Sequence, residues 1–303
     1  MQTPSSLLLV ALVGWVLINA IVSSSSPSSW TLAFEDHFNG DKLNDSSWTA
    51  SDRVQVISKY DGHDALFLAE RVNVAGGYLA ITTVHEPAEL DGDRYNFTSG
   101  WIDSKQKVNQ SLTVATRWEA SIMMADAAAN GAWPAWWLLP EGACWPVSGE
   151  VDIVEIWLGQ GHYQHSHIGQ PVAMASTYHY GYSCSQDASH YSIDSQWYPS
   201  LNFSSTQPII DFSAGFHTFG VEINATSLRF YVDNVTTFVR TLPQLCVAVE
   251  GFDWGKTAYM PFKPMYGIIN VAVKQGTVAS AWWDTHNATT LVDWVRMYTL
   301  SER

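Results

Sequence analysis

Glu150, Asp152 and Glu155 lie in one run, Ser148-Gly149-Glu150-Val151-Asp152-Ile153-Val154-Glu155-Ile156-Trp157, whose other members are mostly β-branched and apolar. Two carboxyl groups held close together, one protonated and one ionised, can cleave a glycosidic bond. The first donates a proton to the leaving oxygen and the second attacks the sugar or activates water. Side chains alternate along a strand, so Glu150 and Asp152 share a face while Val151 and Ile153 point to the other. Glu155 has the wrong parity unless one extra residue is inserted, and a β-bulge around Ile153-Val154 supplies it. With the bulge, all three acids project into one cleft. The Cα atoms of the outer glutamates then stand about 13 Å apart in a fully extended strand. Their side chains must lean inward to about 5–5.5 Å for a retaining mechanism. The competing reading is a strand with a solvated acidic face; three acids among Val and Ile, beside a Trp-rich segment, favour the catalytic one.

The elements that must hold this run are strands. Val72-Asn73-Val74 and the run from Tyr78 to Thr83 flank Gly76-Gly77 as a hairpin. Phe216 to Ile223 and Leu228 to Asp233 form another alternating pair, and Tyr266 to Val273 and Leu291 to Tyr298 complete the set. Many short strands between Gly, Asn and Asp turns predict an all-β chain, a β-sandwich or jelly roll in one domain.

The 303 residues carry a formal net charge of -14, which argues against nucleic acid and anionic surfaces as partners. A neutral polymer feels no such repulsion. Fifteen Trp and thirteen Tyr suit packing on sugar faces, although most of them belong to a core this apolar (47% hydrophobic). The apolar stretch Leu7 to Val22, followed by Ser23 to Pro27, reads as a secretion signal cleaved between Ala20 and Ser26, with an uncleaved anchor as the alternative. The expected organisation is a signal at 1–26 and one catalytic domain at 27–303, in a secreted, extracellular or cell-wall protein with no stable membrane insertion. The C-terminal run Thr299 to Arg303 lacks the hydrophobic tail of a lipid-anchor signal. Asn44, Asn96, Asn109, Asn202, Asn224, Asn234 and Asn287 each open an N-glycosylation sequon. Of Cys144, Cys184 and Cys246, an oxidising compartment favours one disulfide, with 144–184 the preferred pairing and one thiol left over. His162, His165 and His167 read as a polar loop lip rather than a metal site.

The chain resembles glycoside hydrolase family 16, its laminarinase-like β-glucanase branch, across most of residues 30–300. Glu150-Val151-Asp152-Ile153-Val154-Glu155 matches the family's bulged E-x-D-x-x-E strand. Gly131-Ala132-Trp133-Pro134-Ala135-Trp136-Trp137-Leu138-Leu139-Pro140 resembles its G-x-W-P-A-x-W-L-L-P segment. Weaker matches lie at Phe34 to Phe38, Thr177 to Gly181 and Val292 to Tyr298. The resemblance implies a jelly-roll sandwich of two antiparallel sheets with a concave substrate cleft. By it Glu150 is the nucleophile, Glu155 the general acid/base, and Asp152 the neighbour that tunes the nucleophile. Trp133 and Trp137 floor the donor subsites, Trp136 on the opposite face is core, and His179 lies near the leaving-group side. No cofactor is implied for catalysis. A structural calcium is implied at Asp293 and the carbonyl of Gly77.

Several positions depart from the family pattern. Ser121 and Met123 stand where basic residues are usual, Trp101 where many members carry Arg, and Lys274-Gln275 where two glycines are usual. These departures lie around the cleft or its supports and bear on fine specificity; Trp101 is expected to join Trp133, Trp137 and His179 in binding substrate. By the resemblance the bulged motif implies an endo-hydrolase of a neutral β-1,3- or mixed β-1,3/1,4-glucan, and a monomer is expected. Galactan-cleaving relatives, transglycosylation and a non-catalytic glucan-binding lectin are the alternatives; sulfated galactans sit poorly with so few basic residues.

Overall fold

Apolar residues at every second position need two neighbours, a strand alongside and a second sheet in front, and the chain supplies both. The computed structural model describes residues 29–52, 63–107, 114–142, 145–146, 149–158, 172–181, 191–199, 211–241, 263–277 and 279–301. The expected signal at 1–26, all three cysteines, the sequons at Asn109 and Asn202, and the cluster His162, His165 and His167 lie outside the described residues.

The first sheet runs, in spatial order, β17 (Val235–Thr241), β16 (Ser227–Val232), β15 (His217–Ile223), β10 (Val114–Met123), β19 (Ala288–Ser301), β5 (Tyr78–Thr83) and β4 (Val72–Ala75), with β1 (Thr31–Asp36) also on β19. The second runs β14 (Tyr191–Pro199), β13 (Val172–Gly181), β12 (Glu150–Leu158), β11 (Ala132–Pro140), β18 (Met265–Val273), β9 (Trp101–Ser104) and β2 (Trp48–Ala50). The pairings within these two sheets are antiparallel. Two short pairs complete the described strands: β3 (Ala65–Phe67) with β8 (Phe97–Ser99), and β6 (Ala88–Leu90) with β7 (Asp93–Tyr95). This is the all-β jelly-roll sandwich that the alternation predicted. Among the described residues no helix is long and apolar enough to cross a membrane.

The core lies between the sheets. Trp118, Ala120 and Ile122 of β10 and Val292, Val295 and Met297 of β19 meet Trp136 and Leu138 of β11 and Val151, Ile153, Val154 and Ile156 of β12. Trp136 is fully buried there, and such a side chain contributes about 3–5 kcal/mol relative to alanine. The outer face of the second sheet carries a separate cluster. Trp101, Ala135, Trp137, Ile268 and Ala272 are buried on it under Phe67, with Trp133, Leu139 and Tyr266 partly buried beside them. One sheet therefore packs the core on one side and builds an aromatic floor on the other.

Turn chemistry fixes the registers. Ala75 pairs with Tyr78 across Gly76 and Gly77, whose φ values of 64° and 83° are those of a two-residue hairpin turn that excludes most side chains. On β19 the pairing with β10 passes from Trp294 to Val292, leaving Asp293 as an extra residue in a bulge. The hairpin turn lies close by, since the neighbouring Val292 pairs with Leu79 of β5.

Candidate active site

Period two alone cannot place Glu150, Asp152 and Glu155 on one face, and β12 breaks it where the sequence requires. Against β13, Asp152 pairs with Thr177 and Glu155 with Ala175, so Ile153 and Val154 together face Ser176. Against β11, Trp136 pairs with Val154 and Trp137 with Asp152, which again leaves Ile153 extra. Ser176 fills the gap by donating its hydroxyl to the Ile153 carbonyl at 2.9 Å. Ile153 and Val154 both turn into the inter-sheet core, and the three acids emerge together on the other face.

Gly149 sets the entry to this strand. Its φ is 85°, and a Cβ there would stand 2.7 Å from the Tyr178 ring. Gly149→Ala is therefore expected to destabilise the fold by about 1–3 kcal/mol and to lower activity by displacing Glu150. Thermal melting and turnover, measured on the same preparation, check both effects.

Each carboxyl has its own donor. Trp145 donates its indole N–H to Glu150 Oε2 at 2.5 Å, and Trp133 donates to Glu155 Oε1 at 3.1 Å. His179, opposite Glu150 on β13, brings Nε2 to 2.8 Å from Asp152 Oδ2 and 3.8 Å from Glu150 Oε1. Ligand-type atoms of Glu150, Asp152 and His179 all lie within 4.8 Å of one another. Asp152 is almost wholly buried, whereas the side chains of Glu150 and His179 each keep 16% of their surface open.

Crowding and burial shape the charges. Glu150 is pushed up to about 8, first by burial and then by the charge of Asp152; the nearby His179 and the Trp145 N–H oppose the rise. Burial lifts Asp152 to about 7, against the effect of its hydrogen bond with Glu150. Glu155 is raised well above the ordinary glutamate range by burial and then by Asp152; Glu150 adds to the rise, while His179 and the Trp133 N–H reduce it. Protons leave such a set in steps that belong to the group as a whole. Glu155 feels two neighbouring carboxylates, so it is the member best placed to keep a proton.

The aromatic residues divide differently from the expectation. Trp133 is half-buried, with His63 stacked on it at 5.0 Å and 12° and Trp157 at 5.1 Å, so much of its ring is already packed. Trp137 is 9% exposed and donates to Asn270 Oδ1 at 2.8 Å. Trp101 is only 1% exposed: it packs under Phe67, edge-on to Trp137, and donates to Asp103. It supports the floor from one layer below and offers no face to a ligand. His179 reaches into the acidic cluster, toward Asp152. Trp145, His63, Trp157, Asn270 and Asp103 join the site without having been singled out by sequence. Local signals existed for Trp145, five residues before Glu150, for Trp157, which shares parity with Glu155 on β12, and for Asp103, which shares parity with Trp101 on β9; His63 and Asn270 arrive by long-range pairing.

Asp293 and Gly77 lie far from these residues in the architecture, on the first sheet. The Asn39 side-chain oxygen stands 3.8 Å from where a Cβ on Gly77 would be, and Asp293 sits in its bulge next to the same hairpin. The described sequon residues Asn44, Asn96, Asn224, Asn234 and Asn287 are all exposed. Asn96 also donates its side-chain amide to Asp64 at 2.7 Å.

Comparison with known proteins finds relatives in both sequence and fold. The family model described as "Beta-porphyranase A-D, GH16 domain" matches residues 30–300. A beta-glucanase of Rhodothermus marinus is 25% identical, over 98% of this chain and 95% of that protein. A glucan endo-1,3-beta-glucosidase of Cryptopygus antarcticus is 26% identical, over 68% of this chain and 67% of its own length. The endo-beta-1,3-glucanase structure from Pyrococcus furiosus superposes with a TM-score of 0.65 at 22% identity, covering 92% of this chain and 97% of that one.

Proposed function

The chain belongs to glycoside hydrolase family 16, and from that premise we propose that it is a secreted, retaining endo-hydrolase of β-1,3- or mixed β-1,3/1,4-glucans. The observation that carries this reading is the bulge, which brings Glu150, Asp152 and Glu155 onto one face with an indole donor on each glutamate. Ionised Glu150 attacks the anomeric carbon and the bond to the leaving sugar breaks. Glu155 gives its proton to the departing oxygen. Water then attacks the glycosyl-enzyme, Glu155 takes its proton, and Glu150 is released. Carboxyl groups supply every proton and the nucleophile, so catalysis calls for no cofactor. Once Glu150 is esterified its charge is gone, and Glu155 loses a repulsion that had held its proton on. That change turns the acid of the first step into the base of the second.

A neutral glucan is supported by the names of the two curated relatives above and by the charge around the site. Asp103, held by the Trp101 indole, shares this side of the sheet with Glu150, Asp152 and Glu155, so the floor is rich in carboxyl groups. A polyanion would be repelled there. One observation favours a galactan instead: the matching family model is named for porphyranases. Lys274, whose backbone pairs with that of His63 beside Trp133, brings a basic residue to that edge of the sheet. Exposure of every described sequon supports a glycoprotein. For a structural calcium, the oxygens of Asp293, Asn39 and the Gly77 carbonyl suit a hard cation and would hold it at the hairpin, far from the chemistry.

Reducing-end release from laminarin, barley mixed-linkage glucan, agarose and porphyran decides the substrate. Laminarin or mixed-linkage cleavage is expected, with the β-anomer as the first product by NMR. Preference for porphyran would replace the glucan reading. An α-anomer formed first would mean the carboxyls stand too far apart for direct attack. Binding without cleavage would leave a lectin.

A further inference from the structure

We propose that Trp145 and Trp133 are positioning residues that assign one oxygen of each glutamate to the reaction, leaving Glu150 Oε1 to attack and Glu155 Oε2 to carry the proton. The inference rests on the retaining reading above. A carboxylate has two equivalent oxygens, and free rotation would offer either to the sugar. Here each glutamate has one oxygen engaged by an indole N–H: Glu150 Oε2 by Trp145 at 2.5 Å, and Glu155 Oε1 by Trp133 at 3.1 Å. Glu150 Oε1 stands 3.8 Å from His179 Nε2, beyond hydrogen-bond distance of it. Glu150 also shares a hydrogen bond with Asp152, which must open when Glu150 attacks through the oxygen not held by Trp145.

The two rings are themselves held. Trp133 is stacked on His63 and packed against Trp157, and the Trp145 ring lies 6.0 Å from that of His179. An indole is a donor only, so neither ring can rotate into an acceptor and reverse the assignment.

The bonds also survive the chemistry. When Oε1 of Glu150 becomes the ester oxygen, Oε2 becomes a carbonyl that still accepts from Trp145. When Oε2 of Glu155 gives up its proton, Oε1 carries more charge and accepts more strongly from Trp133. Each donor favours the ionised form of its own glutamate. The two donors should therefore act on opposite limbs of the pH profile.

Trp145→Phe and Trp133→Phe keep an aromatic ring and remove the N–H. Each is expected to lower kcat/KM about tenfold, most of it in kcat, as expected for one lost hydrogen bond to a charged group. Trp145→Phe should move the acid limb of kcat/KM to higher pH, because ionised Glu150 has lost a donor. Trp133→Phe should move the basic limb to higher pH, because Glu155 then holds its proton harder. Trp145→His, which can restore a ring N–H, should return the acid limb toward its wild-type position. Loss of activity with both limbs unmoved would assign the indoles a packing role only and overturn the proposal.

A second readout needs no substitution at the indoles. In the wild-type protein the Trp145 indole ¹H–¹⁵N signal should move upfield when an activated 2-deoxy-2-fluoro-β-glucosyl donor esterifies Glu150, since its acceptor loses charge. A signal that stays in place on full esterification overturns the assignment. Wild-type protein that neither hydrolyses glycans nor forms the ester would instead remove the retaining reading on which the assignment depends.

Discussion

Glu150→Gln is expected to reduce turnover on the best glycan by on the order of a million-fold, the scale seen when a covalent nucleophile is deleted. An amide of the same shape cannot attack the anomeric carbon, although its carbonyl can still accept from the Trp145 indole. The fold should survive, because Glu150 lies on the site face of β12 while Val151, Ile153, Val154 and Ile156 of the same strand hold the core. Its melting temperature should be unchanged or higher. Burial and then the charge of Asp152 push Glu150 up to about 8, so its ionised form is a burden on the folded state that a neutral amide removes. Reducing-end release and a thermal melt on the same sample test both halves. The truncated variant Glu150→Ala adds a stereochemical check: with the side chain gone, azide can enter from the face that Glu150 occupied and should yield the α-glycosyl azide from an activated donor. Near-normal hydrolysis by Glu150→Gln would end the nucleophile assignment, and a collapsed melt would show that Glu150 is structural.

The strand bearing this residue was readable from sequence because its constraint is local. Glu150 and Asp152 share parity, Glu155 does not, and only an inserted residue reconciles them; the register of β12 against both neighbours contains that residue at Ile153-Val154. The hairpin at Gly76-Gly77 was legible for the same reason, since two consecutive glycines between alternating runs prescribe a turn that needs positive φ. Trp136 followed from parity along β11 and is buried between the sheets.

What period two could not convey is depth and partnership. Parity puts Trp101 and Trp137 on the floor side, yet Phe67, brought in by β3, covers Trp101 from above. His179 was expected toward the leaving group. Its partner Asp152 is set by the register of β12 against β13, which no residue type encodes. Trp145 had only nearness in sequence to point at Glu150. Strand order decides such contacts, and order is a property of the whole sandwich.

Glu155→Gln should give a smaller loss than Glu150→Gln, one that depends on the leaving group. Removing a general acid costs about 10²–10⁴-fold when the departing oxygen needs a proton. Natural β-glucan should show the full loss in the first step. An aryl glycoside with an acidic phenol leaves without help, so its first step should run near the wild-type rate and the slow step becomes water attack. Azide needs no base and should restore turnover, giving the β-glycosyl azide, since it meets the glycosyl-enzyme on the face opposite Glu150. The opposite stereochemistry in the two glutamate variants is the part of the prediction hardest to imitate by mere structural damage. The pH profile supplies the remaining check. Burial and the charges of Asp152 and Glu150 hold Glu155 well above the ordinary glutamate range, so the wild-type basic limb should lie above that range too. Activity needs this proton, and it is lost as pH rises through the raised value. In Glu155→Gln that limb should vanish while the acid limb remains. A basic limb that persists in the variant would mean another group holds the catalytic proton, and Asp152, the carboxyl between the two glutamates, would be the first to test.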